Sequence, residues 1–296
     1  MGTVFKPISR LEQLAYATVR IENELGYGTG FLLQKNIDKK TMLPLLITNK
    51  HVVYSEKKKE INGRSFIEKT LAKHGKLIFH ISDGEDNPVD FFTSCEYESQ
   101  FGASFIPHPN PDVDLCALNL ASYINALRAQ KQQIFVRYIP LTLIPTEEEL
   151  KNLDYMEDLI MIGYPRALAD ESHNYPIIRK GVSATHPYID FNGKKEFLAD
   201  IANFPGSSGS PVFLLKNNYT DKLGNTQLGS GLFYFMGIAY AGPTCPIIGD
   251  MKIFDVPTKL EAFQNFSMMM NLAYVIKASE LNELVNIVES NILTSN

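Results

Sequence analysis

The stretch Phe204-Pro205-Gly206-Ser207-Ser208-Gly209-Ser210-Pro211-Val212-Phe213 decides how the rest of the chain is read. Glycines at 206 and 209 bracket Ser208. A serine that is to attack a carbonyl needs a tight turn around it and backbone N–H groups free to face the developing oxyanion. The turn leads directly into an apolar, strand-like run at 211–215. A strand-turn-helix nucleophile elbow would need Gly at 210, where Ser210 stands, so an α/β-hydrolase arrangement is excluded. Taken alone, the segment also reads as a plain Gly/Ser turn between strands, and the surroundings must choose.

Those surroundings are a series of short apolar runs separated by turn signals. Runs at 18–22, 31–34, 43–48, 52–54, 77–81, 89–93 and 115–118 precede others at 159–162, 177–184, 196–198, 211–215, 232–239 and 252–255. Gly-rich residues 26–30, Asn192-Gly193 and Gly224-Asn225 are expected turns. The Lys-rich stretch 56–64, with Lys57 to Lys59, is expected to be a solvated loop rather than a binding patch. A short helix is expected near 11–18, and a short helix or exposed connector over 146–153, where Thr146 precedes Glu149 by the three residues of a capping box. A C-terminal helix is expected over 277–288, with apolar residues at 281, 284, 285 and 288. Frequent short strands with little helix predict an all-β barrel or sandwich architecture.

Composition narrows the function classes. With 45% apolar and 21% charged residues in 296, the chain can bury a substantial core and is too apolar for general disorder. A net charge of −5 and the absence of Trp argue against a nucleic-acid binder, for which only Lys57 to Lys59 speak. Three cysteines, Cys95, Cys116 and Cys245, make a poor disulfide framework, and no CxxC, HxxxH or carboxylate cluster has metal-ligand spacing; no metal or cofactor is expected. Arg10, Glu12 and Gln13 interrupt any signal-peptide run, and Lys6 occupies a position where myristoylation needs Ser or Thr. The apolar stretch 268–276 is broken by Asn271 and falls short of the ~20 residues that span a bilayer. A soluble, cytoplasmic protein without a membrane partner is expected.

A serine nucleophile at neutral pH needs a base, most often His, oriented by a carboxylate. Of six histidines, His51 lies where the apolar run ending at Thr48 meets a turn. His108, His74, His80, His173 and His186 lie in loops or beside polar runs. Asp112 and Asp114 alternate onto one face if extended. Asp114 directly precedes the apolar Leu115-Cys116-Ala117-Leu118 and is the better placed for burial beside an imidazole.

At this point a family pattern emerges. GTGFLL (28–33), LITNKHVV (46–53), DLCAL (114–118), MIGYP (161–165), KGVSA (180–184), GSSGSPVF (206–213) and GIAYAG (237–242) occur in one order. In these motifs the chain resembles the trypsin-like serine peptidases, particularly the bacterial HtrA-like and glutamyl-endopeptidase-like branches. The resemblance implies two packed six-stranded antiparallel β-barrels, about 15–125 and 126–260, in a single peptidase domain over 1–296, with a helix-bearing C-terminal segment at 261–296. It implies a triad of His51, Asp114 and Ser208 and an oxyanion hole from the N–H groups of Gly206 and Ser208. It further implies a specificity pocket walled by Ala202 and by the strand carrying Ala239 and Tyr240. Glutamyl endopeptidases carry His where this chain has Ala239, and an acidic residue at 202 would favour Arg or Lys. The pocket is therefore expected to take a small or apolar residue of a protein or peptide substrate.

The chain departs from the family in three ways. No Arg/Lys-Ile/Val-Val/Ile-Gly-Gly activation site occurs near the start, no export signal is evident, and the tail after GIAYAG is too short for a PDZ domain. The resemblance thus points to a stand-alone intracellular peptidase with a regulatory protein partner of the kind found in bacterial defence loci. The competing reading is a catalytically silent trypsin-like fold that binds proteins.

Overall fold

The computed structural model of the chain describes residues 6–38, 41–61, 64–97, 99–131, 133–165, 168, 170–220, 224–229, 231–246 and 267–294. Runs of aliphatic and aromatic residues form extended segments that pair as sheets. The first half contains β1 (Thr18–Asn23), β2 (Gly26–Asn36), β3 (Met42–Thr48), β4 (Tyr54–Ile61), β5 (Arg64–Leu71), β6 (Gly75–Ser82), β7 (Pro88–Tyr97), β8 (Ile106–Pro107), β9 (Cys116–Asn119), β10 (Ile134–Phe135) and β11 (Ile139–Pro140). The second contains β12 (Asp158–Gly163), β13 (Ile177–Ser183), β14 (Glu196–Asp200), β15 (Pro211–Lys216), β16 (Tyr219–Thr220), β17 (Thr226–Gln227), β18 (Leu232–Ala241), β19 (Thr244–Pro246), β20 (Ser267–Met269) and β21 (Leu272–Lys277). The helices are α1 (Arg10–Ala15), α2 (Lys50–Val53), α3 (Ala121–Ala129), α4 (Glu147–Asn152) and α5 (Glu280–Thr294).

The second half closes into a six-stranded barrel in the order β12-β13-β14-β21-β18-β15. The first half is a nine-stranded sheet whose main path runs β10-β6-β1-β2-β3-β9-β8, with β7 paired to β6 and β11 parallel to β2. The architecture is mostly β with a C-terminal helix, as the resemblance implies.

Three cores explain why several strands read as unbroken apolar runs. Along β3, Leu45 and Ile47 point into a core shared by the two halves and α5, whereas Leu46 points into the core of the first sheet. β12 divides likewise: Ile160 and Ile162 face the shared core, Leu159 and Met161 the barrel interior. A strand buried on both faces has no polar side to show. Leu281, Leu284, Val285 and Val288, the helically spaced set of the tail, are buried in the shared core, so α5 fastens the halves together. Each such side chain contributes about 1.5–3 kcal/mol by burial.

Several local expectations are corrected. Residues 26–30 are the start of β2, not a turn; a Cβ on Gly28 would lie 2.4 Å from Val52 Cγ1 and one on Gly30 2.8 Å from Leu46 Cδ1. Those glycines serve close packing. β4 and β5 pair as an antiparallel ladder, where a solvated loop was expected over 56–64. Residues 50–53 form a helical turn rather than a strand, and α3 had no counterpart in the sequence reading. The α4 capping box forms as expected, with Thr146 accepting from the Glu149 N–H and the Glu149 carboxylate accepting from the Thr146 N–H. The strand expected at 252–255 lies outside the described residues. Among the described residues no helix is long and apolar enough to cross a membrane.

Candidate active site

The site begins where β3 gives way to α2. His51 occupies the second position of that helical turn, and its half-exposed imidazole points Nδ1 at Asp114 Oδ2, 2.5 Å away. The other carboxylate oxygen, Oδ1, accepts from the His51 backbone N–H at 3.1 Å. The aspartate thus holds ring and backbone together and fixes the tautomer: with Nδ1 donating, Nε2 is left to accept a proton. The loop carrying Asp114 is itself tied down. Asn49 Nδ2 donates to the Asp114 carbonyl at 2.7 Å, and Lys50 Nζ donates to the carbonyls of Asn110 and Pro111. Asp112, by contrast, engages Asn110 Oδ1 through its N–H and has no described contact with His51.

Ser208 sits half-exposed on a turn between Gly206 (φ +92°) and Gly209 (φ +90°). Both angles are in the left-handed region that side chains resist. At 209 the approach is also close, since a Cβ there would lie 1.9 Å from Thr29 O and 2.6 Å from Thr48 Oγ1. Thr29, fully buried in β2, holds this turn from the first half. Its N–H donates to Ser208 O and its hydroxyl to Gly206 O, each at 2.9 Å, and the same hydroxyl accepts from the Tyr164 N–H. Thr48 Oγ1 in turn donates to Thr29 O at 2.7 Å. Three separated motifs, GTG, TNKH and GYP, therefore converge on one turn. Thr29 was not singled out from the sequence; the GTG motif was its only signal.

Among the described residues, the N–H groups of Gly206 and Ser208 have no hydrogen-bond acceptor. The Ser208 hydroxyl donates to the Tyr240 carbonyl at 3.2 Å and has no hydrogen bond to His51. Tyr240 brings the pieces together. Its carbonyl takes the Ser208 hydroxyl, its own hydroxyl donates to Glu196 at 2.6 Å, and it lines with Asp114 a cavity of about 380 Å³. Burial, the Glu196 hydrogen bond and the nearby Asp114 charge push the Tyr240 phenol up.

Of the expected pocket residues, Ala202 is half-buried and Ala239 fully buried in the barrel core, where its backbone bonds Gly209 N and Ser210 O. Asn203 Nδ2 donates to the Ala241 carbonyl at 2.8 Å, joining the two expected walls. Arg179 of β13, absent from the sequence reading, donates Nη1 to the Ala202 carbonyl at 2.7 Å, and its guanidinium carbon lies 4.9 Å from the Phe204 ring centre.

Four of the five remaining histidines have their side chains buried or bonded elsewhere. His173 pairs with Asp170, and His186 Nδ1 accepts from the Tyr188 N–H. His80 is buried, which pushes its imidazole down to about 4. His108 Nδ1 accepts from Asn110 N and its Nε2 donates to Glu280 O. His108, Glu280 and Glu283 bring ligand-type atoms within 4.8 Å of one another. Both His108 nitrogens are already bonded, however, and Glu280 is held by Lys195 at 2.8 Å, so this cluster braces α5 against the Asp114 loop.

A sequence profile described as Trypsin-like peptidase domain matches residues 28–219, well over half of the chain and including all three candidate catalytic positions. The chain belongs to the trypsin-like peptidase family. This trypsin-like chain has no detectable relative among curated protein sequences. A mutant of Rv3671c from M. tuberculosis H37Rv, solved in its inactive form, aligns at 12% identity over 97% of each chain, with a TM-score of 0.41. Human heparin binding protein aligns at 9% identity over 98% of this chain and 97% of its own, with a TM-score of 0.45. At such identities the likeness carries no argument about activity in the trypsin-like chain.

Proposed function

We propose that the chain is a serine endopeptidase that hydrolyses peptide bonds through an acyl-enzyme, with His51 as base, Asp114 as its orienting carboxylate and Ser208 as nucleophile. The observation that carries this reading is the 2.5 Å contact of His51 Nδ1 with Asp114 Oδ2. It leaves Nε2 as the acceptor, and among the described residues the Gly206 and Ser208 N–H groups of the serine turn have no hydrogen-bond acceptor. For reaction, the Ser208 hydroxyl turns from the Tyr240 carbonyl to His51 Nε2, which takes its proton as Oγ attacks the substrate carbonyl. The oxyanion is received by the N–H groups of Gly206 and Ser208. His51 then gives the proton to the departing amine. Water, deprotonated by the same imidazole, attacks the ester and releases the acyl product as Ser208 regains its proton. No metal or cofactor enters these steps.

The substrate is a protein or peptide. The side chains of Ala202 and Ala239 bring no charge of their own to the pocket and favour a small or apolar residue there. Free, buried thiols at Cys95 and Cys116 are consistent with a reducing, cytoplasmic setting. The second reading, a silent protein-binding module, is favoured by one observation: the Ser208 hydroxyl is bonded to Tyr240 and not to His51.

Fluorophosphonate labelling of wild type, Ser208→Ala and His51→Ala, with mass spectrometry of the labelled peptide, separates the two. Labelling of wild type alone, at Ser208, supports the peptidase. Absence of labelling both in the purified protein and in lysate of its native cell supports the silent module. Labelling confined to the lysate assigns activation to a protein partner.

A further inference from the structure

We propose that Arg179 selects an acidic side chain, Asp or Glu, on the acyl side of the bond to be cut. This rests on the peptidase reading above and names its substrate class. Arg179 stands in the β12–β13 ladder opposite Met161, whose side chain lies in the barrel core. Two residues further along the same face is Gly181, where a Cβ would meet Asp200 O at 2.2 Å and Ile201 Cβ at 2.7 Å. The chain at 200–201 therefore crosses this face directly, and the residue before that crossing, Arg179, is the one that reaches over the 202–204 segment. It arrives at the wall six residues before Ser208.

The guanidinium there is fixed but not neutralised. Nη1 is bonded to the Ala202 carbonyl and the group lies over the Phe204 ring, which sets its position. Among the described residues, Nε and Nη2 have no acceptor and no carboxylate pairs with the group. Several other partly buried cations of the chain are matched by a carboxylate, Lys216 by Glu157, Lys277 by Asp190, Arg137 by Asp86 and Arg20 by Glu22, whereas Lys50, like Arg179, bonds only backbone carbonyls among the described residues. A half-buried charge without a counter-ion is costly to hold, and burial does weaken the protonated form of Arg179. A substrate carboxylate would meet the unused Nε and Nη2 N–H groups as a charge-assisted pair, whereas the isosteric amide of Gln would not. An arginine in the wall thus reverses the uncharged pocket expected from Ala202 and Ala239.

The test uses the full chain and acetyl-Ala-Ala-Pro-Xaa-amide peptides with Xaa = Glu or Gln. Binding to Ser208→Ala is measured by calorimetry, so the result does not depend on catalysis. The Glu peptide is expected to bind about 10- to 100-fold tighter than the Gln peptide at low salt. In Ser208→Ala/Arg179→Gln the ratio should fall to within about 2-fold, and Arg179→Lys should keep part of it, with melting curves confirming that each variant folds. If Arg179→Gln does not fold, the Lys variant and the Glu/Gln ratio in Ser208→Ala decide. Equal affinities, no detectable binding of the Glu peptide at millimolar concentration, or a preference that survives Arg179→Gln overturns the proposal. Fluorophosphonate labelling of wild type is run in parallel. Labelling without acidic preference refutes the role of Arg179 alone, and acidic preference without labelling refutes the peptidase reading alone.

Discussion

Replacing Thr29 by valine removes one oxygen from a fully buried position at nearly constant volume, and the structure says what that oxygen does. It donates to the Gly206 carbonyl and accepts from the Tyr164 N–H, both at 2.9 Å. Gly206 and Tyr164 are themselves buried, so water does not replace the lost partner. Leaving a buried polar group unmet costs about 1–3 kcal/mol, so two such groups predict a loss of about 2–5 kcal/mol after local relaxation. For a chain of this size that lowers Tm by about 5–15 °C. The Gly206 carbonyl also fixes the turn that presents the candidate oxyanion N–H groups, and one such donor is worth about 100-fold in rate or more. Fluorophosphonate labelling of the folded variant should slow by about 10-fold or more. Thr29→Ser, which keeps the hydroxyl, should recover most of both losses. Thermal and urea unfolding followed by circular dichroism give the stability, and labelling kinetics below the transition give the second quantity. A Thr29→Val protein within about 0.5 kcal/mol of wild type, labelling at an unchanged rate, would refute the view that the first half holds the nucleophile turn.

Asp114→Asn should keep the fold but favour the imidazole tautomer with Nε2 protonated, lowering Ser208 labelling and peptide hydrolysis by about 10⁴-fold; an effect under 10-fold counts against the assignment. Gly209→Ala should fail to fold or lose several kcal/mol, since its Cβ would lie 1.9 Å from Thr29 O at a φ of +90°; soluble yield and Tm report it. His80 gives a pH signature. With its folded value depressed by burial from 6.5 to about 4, the unfolded chain takes up a proton first as pH falls. Stability is complete above pH 6.5 and declines by about 3 kcal/mol on the way to pH 4. Urea titrations across that range should show this slope in wild type and a flatter one in His80→Gln.

What the sequence disclosed follows from how local the information was. Strands such as β12 and β15 were legible because their apolar runs are uninterrupted, and α5 because its buried residues recur at helical spacing. His51 and Asp114 were legible by residue type beside strand ends, and they lie 2.5 Å apart. Thr29 and Arg179 were not, since each acts across more than twenty residues of chain on a backbone carbonyl, which leaves no mark in residue type. The glycines of β2 were misread for a related reason. The sequence shows a glycine but not whether it turns the chain or admits a neighbour, here Val52 and Leu46.

The Thr29 clamp has a consequence for the order in which the molecule is made. Synthesis proceeds from the N-terminus, so β2 and β3 leave the ribosome well before the segment around Ser208. The receptor for the nucleophile turn is then complete when that turn emerges. A fragment limited to the second barrel would carry Ser208 without its scaffold, so the turn takes its shape only once both halves have met.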